Sequence, residues 1–173
     1  LCQINEDKHR LLLNGVEVEA RDEAGRLGTF VLTVVDFKTP ERNDFLIVRE
    51  LWVDGLQPRR PDLIGFVNGL PWLVIELKNP GVPARAAFDE NLTHYKLQIP
   101  SLFTFNGLMI ASNGTDSLVG SLTADWERWV RWKRIEREDE QRRVSLEVML
   151  RGTCDPTRLL DLVENFTLFS EHK

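Results

Sequence analysis

Two apolar runs near the middle of the chain flank an Asn-Gly pair at positions 68 and 69. This pattern is the strongest short-range signal for a β-hairpin, because both turn residues readily adopt the left-handed backbone that a two-residue turn requires. The second run, 72–77, is apolar at every position except Glu76. Continuous apolarity is typical of a strand buried on both faces. The pattern therefore predicts a hairpin whose second strand lies inside a sheet.

Periodicity and residue type predict the other elements. Residues 29–35 are nearly all β-branched or aromatic, which favours a strand. Phe88, Leu92 and Tyr95 recur at helical spacing. Further strands are predicted at 16–19, 45–53 and 108–111. Helices are predicted at 6–13 and 84–97, and a third from Ser121 or Thr123 to about 135, with a charged extension over 136–143. A short helix is predicted just before Gly152, and a last one begins at Asp155-Pro156. This order indicates an α/β or α+β fold, a mixed β-sheet flanked by helices.

Composition and charge narrow the function classes. The 173 residues are 42% hydrophobic and suffice for one domain with its own core. No apolar run approaches the ~20 residues that a membrane-spanning helix needs, so we expect no membrane partner. The only two cysteines, Cys2 and Cys154, suggest neither a disulfide framework nor a zinc site, and a reducing cytoplasm is the expected location. A net charge of −5 argues against a protein that coats nucleic acid unaided.

Ionisable residues interrupt the most apolar part of the chain. Glu76 and Lys78 bracket the last residue of the predicted buried strand, and residues two apart on a strand share a face. Charged groups are rarely placed beside a buried strand without a partner or a task. Asp62 precedes the other strand of the hairpin, which would bring it alongside. The three residues are therefore candidates for one chemical site.

The register of the hairpin decides whether the three side chains meet. A strict two-residue loop pairs Asp62 with Ile75 and turns Glu76 away. A three-residue loop or one bulge pairs Asp62 with Glu76 and places all three groups on one face. Pro71 cannot donate a ladder hydrogen bond, so the irregularity is expected near it. The site hypothesis thus requires one extra residue in this hairpin.

The residue types suit metal-dependent hydrolysis of a phosphodiester. Two carboxylates form a hard oxygen site for Mg²⁺, which usually binds through one or two carboxylates and keeps several waters. A lysine beside them can orient the attacking water or stabilise charge on the phosphate. The spacing of the three residues alone also fits a non-catalytic alternative, in which Glu76 and Lys78 form a solvated ion pair and Asp62 forms a turn after Pro61. The residues around the pattern favour the first interpretation.

Those surrounding residues carry a resemblance to a known family. The central segments are Arg60-Pro61-Asp62-Leu63, Asn68-Gly69-Leu70-Pro71 and Val74-Ile75-Glu76-Leu77-Lys78-Asn79-Pro80; the flanking segments are Asp36-Phe37, Asn43-Asp44-Phe45, Ile99-Pro100-Ser101-Leu102-Phe103, Phe105-Asn106 and Ser112-Asn113-Gly114. In this order they resemble the N-terminal endonuclease domain of the type I restriction enzyme R (motor) subunit, a member of the PD-(D/E)xK nuclease superfamily. The resemblance covers roughly residues 8–169.

The resemblance implies roles for individual residues. Asp62, Glu76 and Lys78 would be catalytic, with Asp62 and Glu76 binding Mg²⁺. The family tends to carry a Gln-x-x-x-Tyr pair on the following helix; here Tyr95 matches the tyrosine, while Asn91 replaces the glutamine with a side chain one methylene shorter. Both would support the active site or contact DNA. Tyr95 equally fits a half-buried helix aromatic.

The resemblance also implies an assembly. The substrate would be double-stranded DNA, and the partners would be the methylation and specificity subunits of a restriction complex. The chain lacks a G-x-x-x-x-G-K-[ST] phosphate loop, so ATP would act only through motor domains outside it. Residues 1–150 would form the endonuclease domain, with a restriction-endonuclease-like core, and 151–173 a helical segment leading toward the motor. Two alternatives are a DNA-repair nuclease of the same superfamily and a catalytically silent docking or coupling domain.

Overall fold

A five-stranded mixed sheet forms the centre of the molecule. This computed structural model describes residues 1–139, 141 and 143–169. The strands are β1 Val16–Arg21, β2 Leu27–Leu32, β3 Phe45–Arg49, β4 Leu63–Val67, β5 Leu70–Leu77, β6 Leu108–Ser112 and β7 Ser117–Gly120. The main sheet has the order β3-β4-β5-β6-β7, in which only β5 and β6 are parallel. β1 and β2 form a separate hairpin.

Helices cover both faces of the main sheet. The α-helices are α1 Cys2–Asn14, α2 Thr93–Gln98, α3 Ser145–Thr153 and α4 Pro156–Asn165, and a π-helical segment, Ala87–Leu92, leads into α2. Val74 of β5 packs in the cluster that contains Leu92 and Tyr95 of the π–α2 segment. Ile75 packs instead in the cluster with Met149 of α3. The α+β class predicted from the sequence is confirmed. None of the helices within the described part of the chain is both long and apolar enough to cross a membrane.

The β4–β5 hairpin contains the predicted extra residue. Asn68 and Gly69 have φ angles of 50° and 79°, the left-handed values that a two-residue turn requires. Phe66 pairs with Pro71, but Gly65 pairs with Leu73, so the register shifts at this point. Leu63 consequently pairs with Ile75, and Asp62 comes to lie opposite Glu76. The bulge beside Pro71 is therefore the feature that gives the two carboxylates a common face.

Four strands (β1, β4, β5 and β6) and three helices (α1, α3 and α4) agree with their predicted positions to within about four residues, and two strands end early. β2 ends at Leu32 rather than 35, and β3 ends at Arg49 rather than 53. The predicted helix over 84–97 exists, but its first half is π-helical. Pro156 begins the last helix as expected, and Asp155 accepts a hydrogen bond from the Arg158 N–H as its N-cap.

The predicted helix from Ser121 or Thr123 to about 135 is wrong. Only a short 3₁₀ turn, Trp126–Arg128, forms there. Trp129 stacks on Trp126 and lies edge-on to Phe88, and the backbone of Val130 exchanges two hydrogen bonds with Val119. Helical spacing of the tryptophans thus reflects an aromatic cluster beside an extended segment. The charged extension over 136–143 is not helical either, although positions 140 and 142 lie outside the described residues.

Candidate active site

Asp62 and Glu76 contact each other across the β4–β5 pair. The Asp62 N–H donates to Glu76 Oε2 at 3.4 Å, and Asp62 Oδ2 accepts a hydrogen bond from the Leu77 N–H at 2.7 Å. Each carboxylate is thus held by the backbone of the strand that carries the other. This reciprocal arrangement exists only in the bulged register, and it fixes two acidic side chains at one end of the sheet.

Glu76 is a buried acid in an apolar strand. Glu76 is only 4% exposed, and the four residues before it on β5, 72–75, are buried. Burial, and then the charge of Asp62, raise the pKa of the Glu76 carboxyl to about 7, against the hydrogen bonds from Asp62 and Tyr95 and the charge of Lys78. A group so costly to bury is expected where a charge is needed for a task.

A chain of hydrogen bonds joins Lys78 to Glu76 through the following helix. Lys78 Nζ donates to Asn91 Oδ1 at 2.7 Å, and Asn91 Nδ2 donates to the Tyr95 hydroxyl at 3.2 Å. The Tyr95 hydroxyl donates in turn to Glu76 Oε1 at 3.2 Å. Tyr95 is 6% exposed, and burial raises the pKa of its phenol to about 12. All five residues singled out in the sequence therefore lie in one connected cluster.

Asn91 reaches both of its neighbours despite its short side chain. The helix that carries it is π-helical from Ala87 to Leu92, with the Thr93 N–H bonded to the Phe88 carbonyl. Such turns are uncommon and often occur at functional sites. The amide of Asn91 bridges Lys78 and Tyr95 with hydrogen bonds of 2.7 and 3.2 Å.

The site opens into a cleft of about 720 Å³ at the edge of the sheet. Its lining residues are Arg49, Glu50, Asp62, Leu63, Leu77, Lys78 and Asn79. Sequence analysis did not single out Arg49 or Glu50, nor Glu90, whose carboxylate lies 3.1 Å from Lys78 Nζ. Glu90 stands among charged and polar residues and gives no signal, whereas Arg49 and Glu50 interrupt the apolar run 45–53, which is a signal for them.

The donor set fits a hard divalent cation that keeps much of its water. Asp62 and Glu76 supply two carboxylates, and one Asp62 oxygen is engaged by the Leu77 N–H. Two carboxylates plus waters are a usual magnesium site in proteins. Among the residues that the structure describes, no group of three or more His, Cys, Asp and Glu side chains could hold a metal.

Comparisons with known proteins give the family. The model of the family described as type I restriction enzyme R protein N terminus matches residues 1–128. The endonuclease subunit of type I restriction enzyme HindI from Haemophilus influenzae is 36% identical over 174 residues, which covers 95% of this chain and 16% of the relative. The putative MjaIXP endonuclease subunit from Methanocaldococcus jannaschii is 28% identical over 189 residues, covering 95% of this chain and 18% of the relative.

A third relative matches a shorter stretch. The EcoprrI endonuclease subunit from Escherichia coli is 35% identical over 96 residues, or 54% of this chain and 30% of the relative. The chain spans about a sixth of the length of the first two relatives. Since the family model covers most of the chain, the resemblance found in the sequence is confirmed: this chain belongs to the family of type I restriction enzyme R protein N-terminal regions.

Proposed function

We propose that this chain is a metal-dependent endonuclease domain that hydrolyses phosphodiester bonds of double-stranded DNA. The observation that carries the proposal is the bulged β4–β5 register, which sets Asp62 opposite Glu76 and leaves Lys78 on the same face. Relatives named as endonuclease subunits of type I restriction enzymes support it. The opposite register would have separated the carboxylates and removed the basis for a metal site.

Asp62 and Glu76 would hold Mg²⁺ at the cleft. A bound magnesium ion supplies Lewis acidity there, which polarises the phosphodiester and acidifies a coordinated water. The protein's part is to keep both carboxylates in place. The Leu77 N–H holds Asp62, and the Tyr95 hydroxyl holds Glu76. These hydrogen bonds fix the carboxylates before substrate arrives, which lowers the cost of assembling the site.

Lys78 would stabilise charge on the phosphate. Its ammonium is held at the mouth of the cleft by Asn91 and Glu90, at 2.7 and 3.1 Å. Because Glu90 is largely exposed, a phosphate oxygen can replace it beside the ammonium at little cost in desolvation. Asn91 and Tyr95 are positioning residues in this scheme: they tie the lysine to the carboxylate that holds the metal.

The whole assembly would supply the binding, movement and selection of DNA. The formal charge is −5, which disfavours tight binding of DNA by the chain alone. We propose that ATP-driven motor domains of the full polypeptide hold and move the DNA. The methylation and specificity subunits would determine which DNA is engaged. The function of this chain would then be limited to hydrolysis of the DNA strand that enters the cleft.

The test is DNA cleavage by the full-length polypeptide in complex with the methylation and specificity subunits, with Mg²⁺ and ATP. We expect Asp62→Asn and Lys78→Ala to lose cleavage by at least about 100-fold, while ATP hydrolysis continues, because only the chemical step is removed. Lys38→Ala is the matched control, since Lys38 is an exposed lysine on the segment that contacts the β4–β5 turn, away from the cleft. Normal cleavage by both site variants would refute the assignment.

A further inference from the structure

Arg49 lies in the cleft but takes no part in the network described above. It is the last residue of β3 and pairs with Leu63, the residue next to Asp62. It lines the same cleft as Asp62 and Lys78. Because paired residues share a face, Arg49 lies on the face of Leu63 and Ile75, opposite to that of Asp62 and Glu76, and it borders the cleft from there at the end of the sheet. Lys78, directly after β5, borders the cleft from the face that carries the carboxylates.

The other charged groups of the cleft already have partners. Lys78 is paired with Glu90 at 3.1 Å, and Glu50 is paired with Arg60 at 3.5 Å. Asp62 accepts a hydrogen bond from the Leu77 N–H. By contrast, no hydrogen bond or ion pair involves the Arg49 side chain among the residues that the structure describes. Its guanidinium thus keeps all five donors available at the mouth of the cleft.

The backbone next to Arg49 is locked in an unusual conformation. Glu50 has a φ of 49°, which is uncommon for a residue other than glycine. The Glu50 N–H donates to the Asp62 carbonyl at 3.0 Å, so the end of β3 is tied directly to the residue that carries the metal-site carboxylate. Conformations of this kind persist where surrounding structure holds them, often at binding sites. The position of Arg49 relative to Asp62 is thereby fixed.

We propose that Arg49 binds a backbone phosphate of the DNA strand that enters the cleft, next to the bond that is cut. The inference rests on the proposed nuclease function. A guanidinium presents paired N–H donors that match two oxygens of a phosphate, and it is more weakly hydrated than an ammonium. With Lys78 on the carboxylate face and Arg49 on the other face, phosphates of one DNA strand that crosses the end of the sheet would be held from both faces. Arg49 thus fixes the strand and takes no part in bond making.

The experiment compares Arg49→Gln and Arg49→Lys in the full-length polypeptide and its complex. Cleavage of plasmid DNA is measured with Mg²⁺ and ATP, and binding of a duplex is measured with Ca²⁺ and without ATP across a range of salt. We expect Arg49→Gln to slow cleavage about 10- to 100-fold, the equivalent of one charged hydrogen-bonding contact. The slope of log affinity against log salt should fall by about 0.9 for one lost phosphate contact. Arg49→Lys should recover part of the cleavage rate and part of the salt slope. ATP hydrolysis and the melting temperature should not change in either variant.

Arg128→Gln is the matched control. Arg128 is also exposed, but it lies near Leu108 and Gly120, at the opposite end of β6 and β7 from the cleft. We expect it to cut and bind as the wild type does. Arg49→Gln with normal cleavage and an unchanged salt slope would overturn the proposal, as would equal losses in both Arg49 variants together with a lowered melting temperature. Neither result would bear on the nuclease assignment, which Asp62→Asn and Lys78→Ala test separately.

Discussion

At the scale of single residues, Tyr95 joins the two halves of the candidate site. Its hydroxyl donates to Glu76 and accepts from Asn91, while its ring packs in the core at 6% exposure. A side chain that merely filled the core would not need the hydroxyl. A purely structural role for Tyr95, as a half-buried helix aromatic, therefore explains the burial of its ring but not its hydrogen bonds.

Tyr95→Phe tests this role. We expect the free energy of unfolding to fall by about 1–3 kcal/mol, because the buried Glu76 carboxylate loses a donor while the ring packing is retained. Urea denaturation of the purified chain measures the change. A variant whose stability stays within about 0.5 kcal/mol of the wild type, the range of ordinary surface changes, would show that the hydroxyl contributes nothing to holding Glu76.

The two cysteines should differ in reactivity. Burial raises the pKa of the Cys154 thiol to about 11, whereas Cys2 is exposed. At pH 8 only about one Cys154 thiol in a thousand is then a thiolate, the reactive form. We expect iodoacetamide to modify Cys2 at least tenfold faster, and the Cys154 rate to rise with pH up to about 11. Peptide mass spectrometry measures both rates, and equal rates at pH 8 would contradict the structure.

Some of the site residues can be predicted from the sequence and others cannot. Glu76 stands out because a carboxylate interrupts an apolar strand, and Lys78 follows it at the spacing of one face. Glu90 gives no such signal, because an exposed charged residue among polar neighbours looks the same in a sequence whatever it faces. Arg49 does interrupt the apolar run 45–53, but the sequence does not show that this run pairs with the strand next to Asp62. What Asn91 contacts depends on the π-helical turn, which its neighbours' types do not reveal.

At the scale of elements, the β4–β5 hairpin determines the site. The need for an extra residue follows from side-chain alternation, its expected place near Pro71 follows from the missing N–H of the proline, and the structure confirms both. The wrong helix after Ser121 shows the limit of the same reasoning. Helical spacing of Trp126 and Trp129 also arises when tryptophans stack on each other beside an extended segment, and that stacking involves Phe88, about forty positions away.

Asn68 links the hairpin turn to the segment before β3, so two substitutions there separate turn conformation from tertiary contact. Its Nδ2 donates to the Val34 carbonyl at 2.8 Å, and its Oδ1 accepts from the Asp44 N–H at 2.7 Å. Asn68→Gly keeps the left-handed turn and loses these bonds, so we expect a loss of about 1–2 kcal/mol in unfolding free energy. Asn68→Ala should lose roughly 1 kcal/mol more, because alanine disfavours a φ of 50°.

Chemical denaturation of both variants gives the comparison. Equal stabilities for Asn68→Gly and Asn68→Ala would mean that the left-handed turn carries no cost, and hence that the hairpin geometry is not held as described. If Asn68→Gly unfolds with the same free energy as the wild type, the hydrogen bonds of Asn68 to Val34 and Asp44 do not stabilise the fold.

At the scale of the whole molecule, α4 is part of the same core as the sheet. Leu159, Leu160 and Val163 are buried with Leu12 of α1 and Trp72 of β5. The division at residue 150 into an endonuclease domain and a segment that leads toward a motor stays a prediction. The packing of α4 indicates that this helix also supports the strand that carries Glu76.

A chain ending at Cys154 tests that support. Removing α4 exposes Trp72 and takes away three buried aliphatic side chains, each worth about 1.5–3 kcal/mol. We expect the shortened chain to lose cooperative unfolding or to melt at least 10 °C lower, by about 2–4 °C per kcal/mol at this size. Differential scanning calorimetry measures this. Melting at the temperature of the full 173 residues would show that α4 is dispensable to the core.

The most direct test of the central claim is the cleavage rate of Glu76→Gln in the full-length polypeptide with its assembly partners, Mg²⁺ and ATP. The substitution keeps the size of a side chain that is 4% exposed and removes the charge that would hold the metal. We predict a fall in cleavage of at least about 100-fold with ATP hydrolysis maintained and the melting temperature equal or higher. Cleavage at the wild-type rate would contradict the assignment of Asp62 and Glu76 as the metal site of a nuclease.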